Sequence, residues 1–152
     1  MRLAIVAVGR LRPGPERTLY EHYANRIRWP LAVHEVEERR PLPVGRLIAR
    51  EGELLRAACP NGARIIALDG SGKALTSEAL AKRLGAWRDE AVGDVALVIG
   101  GADGLDRSIV AAADLVLSFG AVTWPHLLMR ALVAEQIYRA QQILAGHPYH
   151  RS

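Results

Sequence analysis

Five short apolar runs recur along the chain, and they alternate with segments of helical spacing. The runs are Leu3–Val8, residues 31–37, Ile65–Leu68, Val95–Ile99 and Leu115–Leu117. Apolar runs of this length, without a strict alternation of apolar and polar positions, are typical of strands that are buried on both faces. The pattern therefore predicts an α/β protein with a mainly parallel sheet that is covered by helices on both faces.

The segments between the runs predict helices. Leu19, Tyr23 and Ile27 are spaced as on one helix face, Pro15 is well placed to open this helix, and Pro30 ends it. The other predicted helices are residues 47–58, a helix from the N-cap Thr76 to about Ala91, the short helix Ile109–Ala113, and the long helix His126–Ala145. Residues 147–152 are predicted to form a tail.

Three loops leave the carboxyl ends of predicted strands, which is the edge where parallel sheets bind their ligands. They are Leu68–Gly72, Gly100–Gly104 and Ser118–Pro125. The first two are rich in glycine, which either lets backbone N–H groups approach a ligand or simply turns the chain. The third loop is mostly apolar. It either lines a pocket for an adenine or a methionine side chain or forms a buried crossover, and composition alone favours the crossover.

The familiar nucleotide-binding motifs do not fit this sequence. A Walker A loop would need glycine where Ala67 stands, and a hydroxyl residue where Ala74 follows Lys73. The dinucleotide fingerprint belongs after the first strand, whereas the nearest match, Gly100-Gly101-x-x-Gly104, follows the fourth. We therefore expect neither an ordinary dinucleotide fold nor a kinase-like phosphate loop.

Composition narrows the class of protein. The chain has 152 residues, of which 50% are hydrophobic and 24% charged, and this predicts one globular domain over residues 1–152. A single cysteine, Cys59, allows no intrachain disulfide and fits a reducing cytoplasm. Leu3–Val8 is too short for a signal-peptide core, and Ile109–Trp124 falls short of a membrane span. We therefore expect a cytoplasmic protein with no membrane partner.

Basic residues outnumber acidic ones by 20 to 16, which makes the net charge +4. The excess lies in the first 62 residues and in the last 27, whereas the middle of the chain is slightly acidic. Arginine makes up almost all of the basic residues. Arginine suits bidentate phosphate contacts and stacking on bases, although a genome bias towards arginine would give the same composition.

The C-terminal tail concentrates reactive side chains. His147-Pro148-Tyr149-His150-Arg151 places two imidazoles, a phenol and a guanidinium within five residues. Two histidines without a carboxylate or thiolate close in sequence make a poor metal site, so no metal is expected. Tyrosine and arginine can instead stack on an exposed base or hold a phosphate, which favours a contact with nucleic acid. The helix before the tail carries Arg130, Tyr138 and the pair Glu135 and Arg139, whose i,i+4 spacing also fits a simple surface ion pair.

Several motifs together resemble a known family. They are Leu97-Val98-Ile99-Gly100-Gly101-x-x-Gly104-Leu105, Thr123-x-Pro125-His126-x-Leu128-x-Arg130, Glu135-Gln136-x-Tyr138-Arg139-Ala140, and the terminal run from His147 to Arg151. With Glu21-x-Tyr23-x-x-Arg26 and Leu68-Asp69 in the N-terminal half, the chain resembles the RlmH family. These are the 23S rRNA pseudouridine N3-methyltransferases of the SPOUT superfamily. The resemblance covers essentially the whole chain.

The resemblance implies features that the residue pattern does not show. SPOUT enzymes tie their C-terminal segment into a trefoil knot, bind S-adenosyl-L-methionine in the knot, and work as homodimers. The implied substrate is the pseudouridine at position 1915 in helix 69 of 23S rRNA, within the assembled ribosome. One subunit would supply the cofactor and the other its tail. Carried over by position, the cofactor contacts are Leu68, Gly100, Phe119, Gly120, Ala121, Val122, Thr123 and Trp124.

The matched tail also suggests roles in catalysis. The acceptor nitrogen of pseudouridine lies between two carbonyls and must lose a proton before or during methyl transfer. His150 is the predicted base, since an unperturbed imidazole has a pKa of about 6.5, and bulk water is the alternative acceptor. Arg151 or Arg130 would stabilise charge on the flanking oxygens, and Tyr149 would stack on the base or hydrogen-bond to it.

Some residues depart from the family's pattern, and other functions remain open. Ala102-Asp103, Gly120 and Trp124 replace residues that are common in the family, and the Arg39–Gly45 loop is short and lacks lysine. These departures affect the shape of the cofactor pocket and the reach of the N-terminal RNA surface. The alternatives are a ribosome-binding factor without chemistry, a methyltransferase that acts on another RNA, and a flavodoxin-like nucleotide-binding module.

Overall fold

Strands and helices alternate along the chain, as the apolar pattern predicts. The computed structural model describes residues 1–151, with only the backbone of His150. The elements are β1 (Arg2–Val8), α1 (Pro15–Ala24), β2 (Leu31–Val36), α2 (Val44–Ala58), β3 (Arg64–Lys73), α3 (Ser77–Asp89), β4 (Asp94–Ile99), α4 (Arg107–Ala112), β5 (Leu115–Leu117), α5 (His126–Leu144) and a 3₁₀ turn at Pro148–Arg151.

The strands form one sheet in the order β2-β1-β4-β3-β5. Every pairing between these strands is parallel, and Leu3 of β1 lies opposite Leu31 on one side and Val95 on the other. The carboxyl ends of β1, β4, β3 and β5 therefore meet at one edge of the sheet. This confirms the predicted α/β class and places the three candidate loops at a common edge.

Both faces of the sheet are buried. Ile5 of β1 belongs to a core cluster with side chains of α3 and α5, including Ile137, while α1 packs on α5. The next residue, Val6, points to the other face and clusters with Leu55 of α2 and with side chains near α4. Each fully buried side chain of this size contributes about 1.5–3 kcal/mol, so the two clusters supply the main stabilisation of the sheet.

One predicted loop is a strand in the structure. The sequence predicts that β3 ends at Leu68, yet the strand runs on to Lys73, which pairs with Leu117 after a bulge. A Cβ on Gly72 would lie 2.5 Å from the backbone oxygen of Val116, so only glycine allows this close approach. The prediction was wrong because a glycine-rich segment resembles a turn locally, whereas pairing with the distant β5 keeps it extended.

The first helix is shorter than predicted. Pro15 does begin α1, but the helix ends at Ala24 rather than near Pro30. The side-chain oxygen of Gln141 on α5 accepts hydrogen bonds from the backbone N–H groups of Arg28 (2.7 Å) and Trp29 (3.1 Å). This contact between distant parts of the chain satisfies the backbone outside the helix, and a pattern of local spacing does not reveal it.

Other local predictions hold. The hydroxyl oxygen of Thr76 accepts a hydrogen bond from the Ala79 N–H at 3.1 Å and caps α3. The predicted tail has structure of its own, because Pro148–Arg151 forms a 3₁₀ turn that packs on α5. Within residues 1–151, no helix combines the length and apolar surface needed to cross a lipid bilayer.

Candidate active site

A cavity of about 270 Å³ opens at the carboxyl edge, where β3, β4 and β5 end. The structure brings together in its wall all eight residues for which the resemblance implies cofactor contacts, namely Leu68, Gly100, Phe119, Gly120, Ala121, Val122, Thr123 and Trp124. Asp69, His126 and Met129 also line it. The wall therefore combines apolar side chains, backbone polar groups and two titratable side chains.

The glycine turn after β4 forms the tightest part of this wall. Gly101 bridges to Gly104, whose N–H donates to the Gly101 oxygen at 3.1 Å. A Cβ on Gly100 would lie 2.6 Å from the carbonyl carbon of Gly104 and 2.7 Å from its oxygen. Because these are backbone atoms, they have little freedom to move away. Gly100 is therefore required by packing, which keeps backbone groups at the cavity surface.

The apolar loop between β5 and α5 is held by its own hydrogen bonds. The Ser118 hydroxyl donates to the Gly120 oxygen (3.1 Å) and accepts from the Gly120 N–H (3.2 Å), and the Trp124 indole N–H donates to the Phe119 oxygen (3.2 Å). The side chains of Val122 and Trp124 remain 64% and 39% exposed. The buried crossover favoured by composition is therefore wrong, since the loop curls around a cavity and leaves apolar surface uncovered.

Asp69 adds a fixed negative charge that the residue pattern did not single out as a contact. Its carboxylate lies at the bulge of β3 and is paired with Arg107 at the start of α4. The hydrogen bond from Arg107, and further ones from Ser71, lower the pKa of Asp69 to about 2. Asp69 is therefore ionised at neutral pH. The Leu68-Asp69 motif was the signal in the sequence, but its partner lies 38 residues away.

His126 is a second titratable group in the cavity wall that sequence reasoning did not assign. It is the first residue of α5, and a Cβ on Gly9 would lie 3.5 Å from its Nε2. Burial, and then the positive charge of Arg130, lower the pKa of His126. The imidazole is therefore neutral at pH 7, when it can accept a hydrogen bond or a proton.

Arg130 lies beside the cavity and outside its wall. Its side chain is only 1% exposed. Its Nη2 donates to the backbone oxygens of Val8, at 3.1 Å, and of Gly9. Its Nη1 lies 3.2 Å from the Glu35 carboxylate, yet Nε and Nη1 make no hydrogen bond. In this chain Arg130 therefore ties the end of β1 to α5.

The described tail side chains pack against α5, away from the cavity wall. The Tyr149 ring packs 4.8 Å from Tyr138, and the Arg139 guanidinium lies 4.9 Å from the Tyr149 ring centre. The Tyr149 hydroxyl donates to Glu135 at 3.3 Å, and Glu135 pairs with Arg139 at 2.6 Å. Burial, and then a hydrogen bond with Tyr23, raise the pKa of the Tyr149 phenol, which stays protonated at neutral pH.

The last two predicted site residues are Arg151 and His150. Arg151 ends the 3₁₀ turn and is exposed, and it does not line the cavity of its own chain. The side chain of His150 lies outside the described residues. Among the described side chains, no group of three or more histidine, cysteine, aspartate or glutamate residues is arranged to hold a metal ion.

Comparison with known proteins identifies the family. A family profile described as "Predicted SPOUT methyltransferase" matches residues 1–150. The chain belongs to the SPOUT methyltransferases. Within them it falls among the RlmH proteins. "Ribosomal RNA large subunit methyltransferase H" of Rhodospirillum centenum is 57% identical to it over 152 residues, and the match covers 100% of both chains. The protein of the same name from Rhodospirillum rubrum is 55% identical with the same coverage.

A solved structure supports the fold of this SPOUT chain. A probable methylase family protein from Haemophilus influenzae Rd KW20 superposes with a TM-score of 0.59 at 10% sequence identity. The match covers 97% of this chain and 69% of that one. At such low identity the similarity shows a shared fold, and the cavity at the carboxyl edge must be interpreted from its own residues.

Proposed function

We propose that this SPOUT protein transfers a methyl group from S-adenosyl-L-methionine to N3 of the pseudouridine at position 1915, in helix 69 of 23S rRNA in the assembled ribosome. The observation that carries the proposal is the convergence of Leu68, Gly100 and the loop Phe119–Trp124 in one cavity at the carboxyl edge. Full-length relatives that are named ribosomal RNA large subunit methyltransferases support the choice of rRNA as the substrate class.

The residues present fit the cofactor. Phe119, Val122 and Trp124 offer apolar surface to an adenine ring or a methionine chain, and the turn at Gly100 presents backbone polar groups. The ionised Asp69, although paired with Arg107, can accept hydrogen bonds from ribose hydroxyls. When bound, the cofactor supplies a methyl group on a positively charged sulfur, which an in-line nucleophile can attack.

The chain's own residues must then position the target pseudouridine base and accept the proton from its N3. Holding the acceptor nitrogen close to the methyl group accounts for much of the rate in such a transfer. We propose that His150 accepts the proton, that Tyr149 stacks on the base, and that Arg151 stabilises charge on the flanking oxygens. The buried contacts of Arg130 with the end of β1 support a positioning role for this residue.

The separation of cavity and tail supports a composite site. Tyr149 packs against Tyr138 and Arg139 on α5, whereas the cofactor candidates lie at the sheet edge of the same chain. We propose that two subunits form a homodimer in which the tail of one completes the cavity of the other. The exposed Val122 and Trp124 provide apolar surface for such an interface. The trefoil knot and a cytoplasmic location are part of the same proposal.

Methyl transfer to ribosomes tests the function directly. Ribosomes from a strain that lacks this methyl group are incubated with the protein and labelled S-adenosyl-L-methionine, and rRNA fragments are then analysed by mass spectrometry. The expected result is one new methyl group, on the helix 69 pseudouridine. A methyl group elsewhere would indicate another RNA substrate. No transfer by a folded, cofactor-bound protein would favour a ribosome-binding factor without chemistry.

A variant series tests the proposed base. H150A should show a slower single-turnover rate that no longer rises through the pH range in which an imidazole loses its proton. H34Q removes a histidine from β2, outside the cavity wall, and serves as the matched control. If H150A keeps the wild-type rate across pH, the proton passes to water or to another group, and the assignment of His150 is wrong.

A further inference from the structure

A second cavity, of about 660 Å³, lies at the same edge of the sheet, beside the end of β1. Unlike the first cavity it is lined mainly by charged side chains, and guanidinium groups outnumber carboxylates by four to two. The charged residues are Arg10, Arg12, Arg17, Arg130, Glu21 and Glu35. We call this cavity the arginine groove.

Two of the four arginines are already neutralised within the groove. Arg17 pairs with Glu21 at 2.8 Å. Glu35 lies 3.2 Å from Nη1 of Arg130 and also accepts a hydrogen bond from the Leu11 N–H at 2.7 Å. These contacts occupy both carboxylates and fix the floor of the groove, so its positive excess comes from the remaining two arginines.

Arg10 and Arg12 carry that excess. Both are exposed, in the segment that connects β1 to α1, and neither forms an ion pair with another described residue. An arginine presents several N–H donors in a planar fork that matches the oxygens of a phosphate group. Two such side chains on either side of the buried Leu11 form the rim of a site for an anion.

The floor of the groove has unused hydrogen-bonding capacity. Arg130 is almost completely buried; its Nη1 lies against the Glu35 carboxylate without forming a hydrogen bond, and its Nε has no hydrogen-bond acceptor. A buried donor without an acceptor carries a free-energy cost. An anionic oxygen at the floor would reduce that cost. This is a second feature, independent of the rim, that favours a negatively charged ligand.

The groove and the candidate active-site cavity have no lining residue in common, but they adjoin each other along α5. His126 lines the active-site cavity and Arg130 lines the groove, one turn apart on α5, which is about 6 Å along the helix. Gly9 lies between them, close to His126 and bonded to Arg130. A strand of RNA whose target base reaches the mouth of the cavity, beside the proposed cofactor, would therefore carry its neighbouring phosphates over the residues that follow Gly9.

We propose that the arginine groove binds the backbone phosphates of the RNA strand next to the target nucleotide, with Arg10 and Arg12 as the main contacts. This inference rests on the proposed function for its choice of RNA. The position of the groove beside the cavity proposed for the methyl donor favours RNA, the proposed methyl acceptor, over an acidic protein segment. The site would contribute affinity and orientation rather than sequence recognition, because phosphate contacts carry no sequence information.

The salt dependence of ribosome binding tests the groove. Binding of fluorescently labelled protein to ribosomes is measured at a series of KCl concentrations. Losing one phosphate contact lowers the slope of log K against log [KCl] by about 1, so R10Q/R12Q should lower it by about 2 and weaken binding at least tenfold. R10K/R12K keeps the charges and should recover most of the slope.

Two controls separate the groove from other effects. K82Q/R83Q removes the same charge from the exposed face of α3, outside both cavities, and should leave the slope unchanged. Calorimetric binding of S-adenosyl-L-methionine to R10Q/R12Q should match the wild type, because neither arginine lines the first cavity. Equal losses of slope in R10Q/R12Q and K82Q/R83Q would overturn the proposal. A wild-type slope in R10Q/R12Q would overturn it too.

A failure of the groove proposal can be distinguished from a failure of the proposed function. If the wild-type protein transfers no methyl group but R10Q/R12Q still lowers the salt slope of ribosome binding, the methyltransferase proposal fails and the groove stands. If methyl transfer occurs while R10Q/R12Q binds ribosomes like the wild type, the groove fails and the function stands. If the wild-type protein does not bind ribosomes at all, the groove proposal is wrong.

Discussion

The glycine turn after β4 allows a sharp prediction, because the atoms that a new side chain would meet are known. In G100A the added Cβ would lie 2.6 Å from the Gly104 carbonyl carbon and 2.9 Å from the Leu105 nitrogen. Normal van der Waals contacts between such atoms are longer by several tenths of an ångström or more. The variant can fold only if the turn from Gly101 to Gly104 moves outward, into or away from the cavity.

The loss of folding stability expected for G100A follows from the rigidity of the contacting backbone atoms. Overpacking that forces a backbone shift typically costs about 1–3 kcal/mol. For a chain of this size that corresponds to a fall in Tm of about 3–10 °C. The same movement changes the position of backbone groups in the cavity wall, so we expect the affinity for S-adenosyl-L-methionine to fall at least tenfold, which is a loss of about 1.4 kcal/mol.

Gly70 provides the matched control. It also lines the cavity, but a Cβ there would meet nothing within 4 Å. G70A should therefore be as stable as the wild type, or more stable by up to about 1 kcal/mol, because alanine restricts the unfolded chain. Both variants are compared by urea and thermal unfolding at one protein concentration and by calorimetric titration with the cofactor. If G100A has the wild-type unfolding midpoint, the steric reasoning fails.

Three other variants test different parts of the structure. D69N should lower the urea midpoint at pH 7, because Arg107 stabilises the ionised Asp69 of the folded state. The folded-state pKa of about 2 lies below the unfolded value of about 3.9, so the contribution is complete above about pH 4 and fades as the pH falls towards 2. R130M should cost about 1–3 kcal/mol in unfolding experiments, because two backbone oxygens at the end of β1 lose their donor. V122D should shift the proposed homodimer towards monomer in light scattering, since it places a charge on the exposed apolar loop.

Each of these variants has a control. D89N removes an exposed carboxylate at the end of α3. The difference in stability between wild type and D89N should not shrink below about pH 4, whereas the difference between wild type and D69N should. R130K keeps the charge and one donor group, so a fully active but less stable R130K would support positioning, whereas a stable but inactive one would support catalysis. V44D alters a valine at the start of α2 that is 57% exposed, and it should leave the oligomeric state unchanged.

The elements whose signals are local can be predicted from the order of residues alone. Apolar runs marked the five strands, and Pro15 and Thr76 marked the starts of two helices. These signals are strong because side chains three or four residues apart, or on alternate sides of a strand, decide them. Motifs at fixed spacing also sufficed to identify the family, and they named eight residues that the structure gathers into one cavity.

The features that depend on distant partners emerge only from the packing of the folded chain. The end of α1 depends on Gln141, the extension of β3 depends on β5, and the charge of Asp69 is held by Arg107. Likewise, the sequence suggested Arg130 as a catalytic group, and the structure places it outside the cofactor cavity, in the arginine groove and bonded to β1. Burial and hydrogen-bond partners arise where remote segments pack together, and no local pattern of residues encodes them.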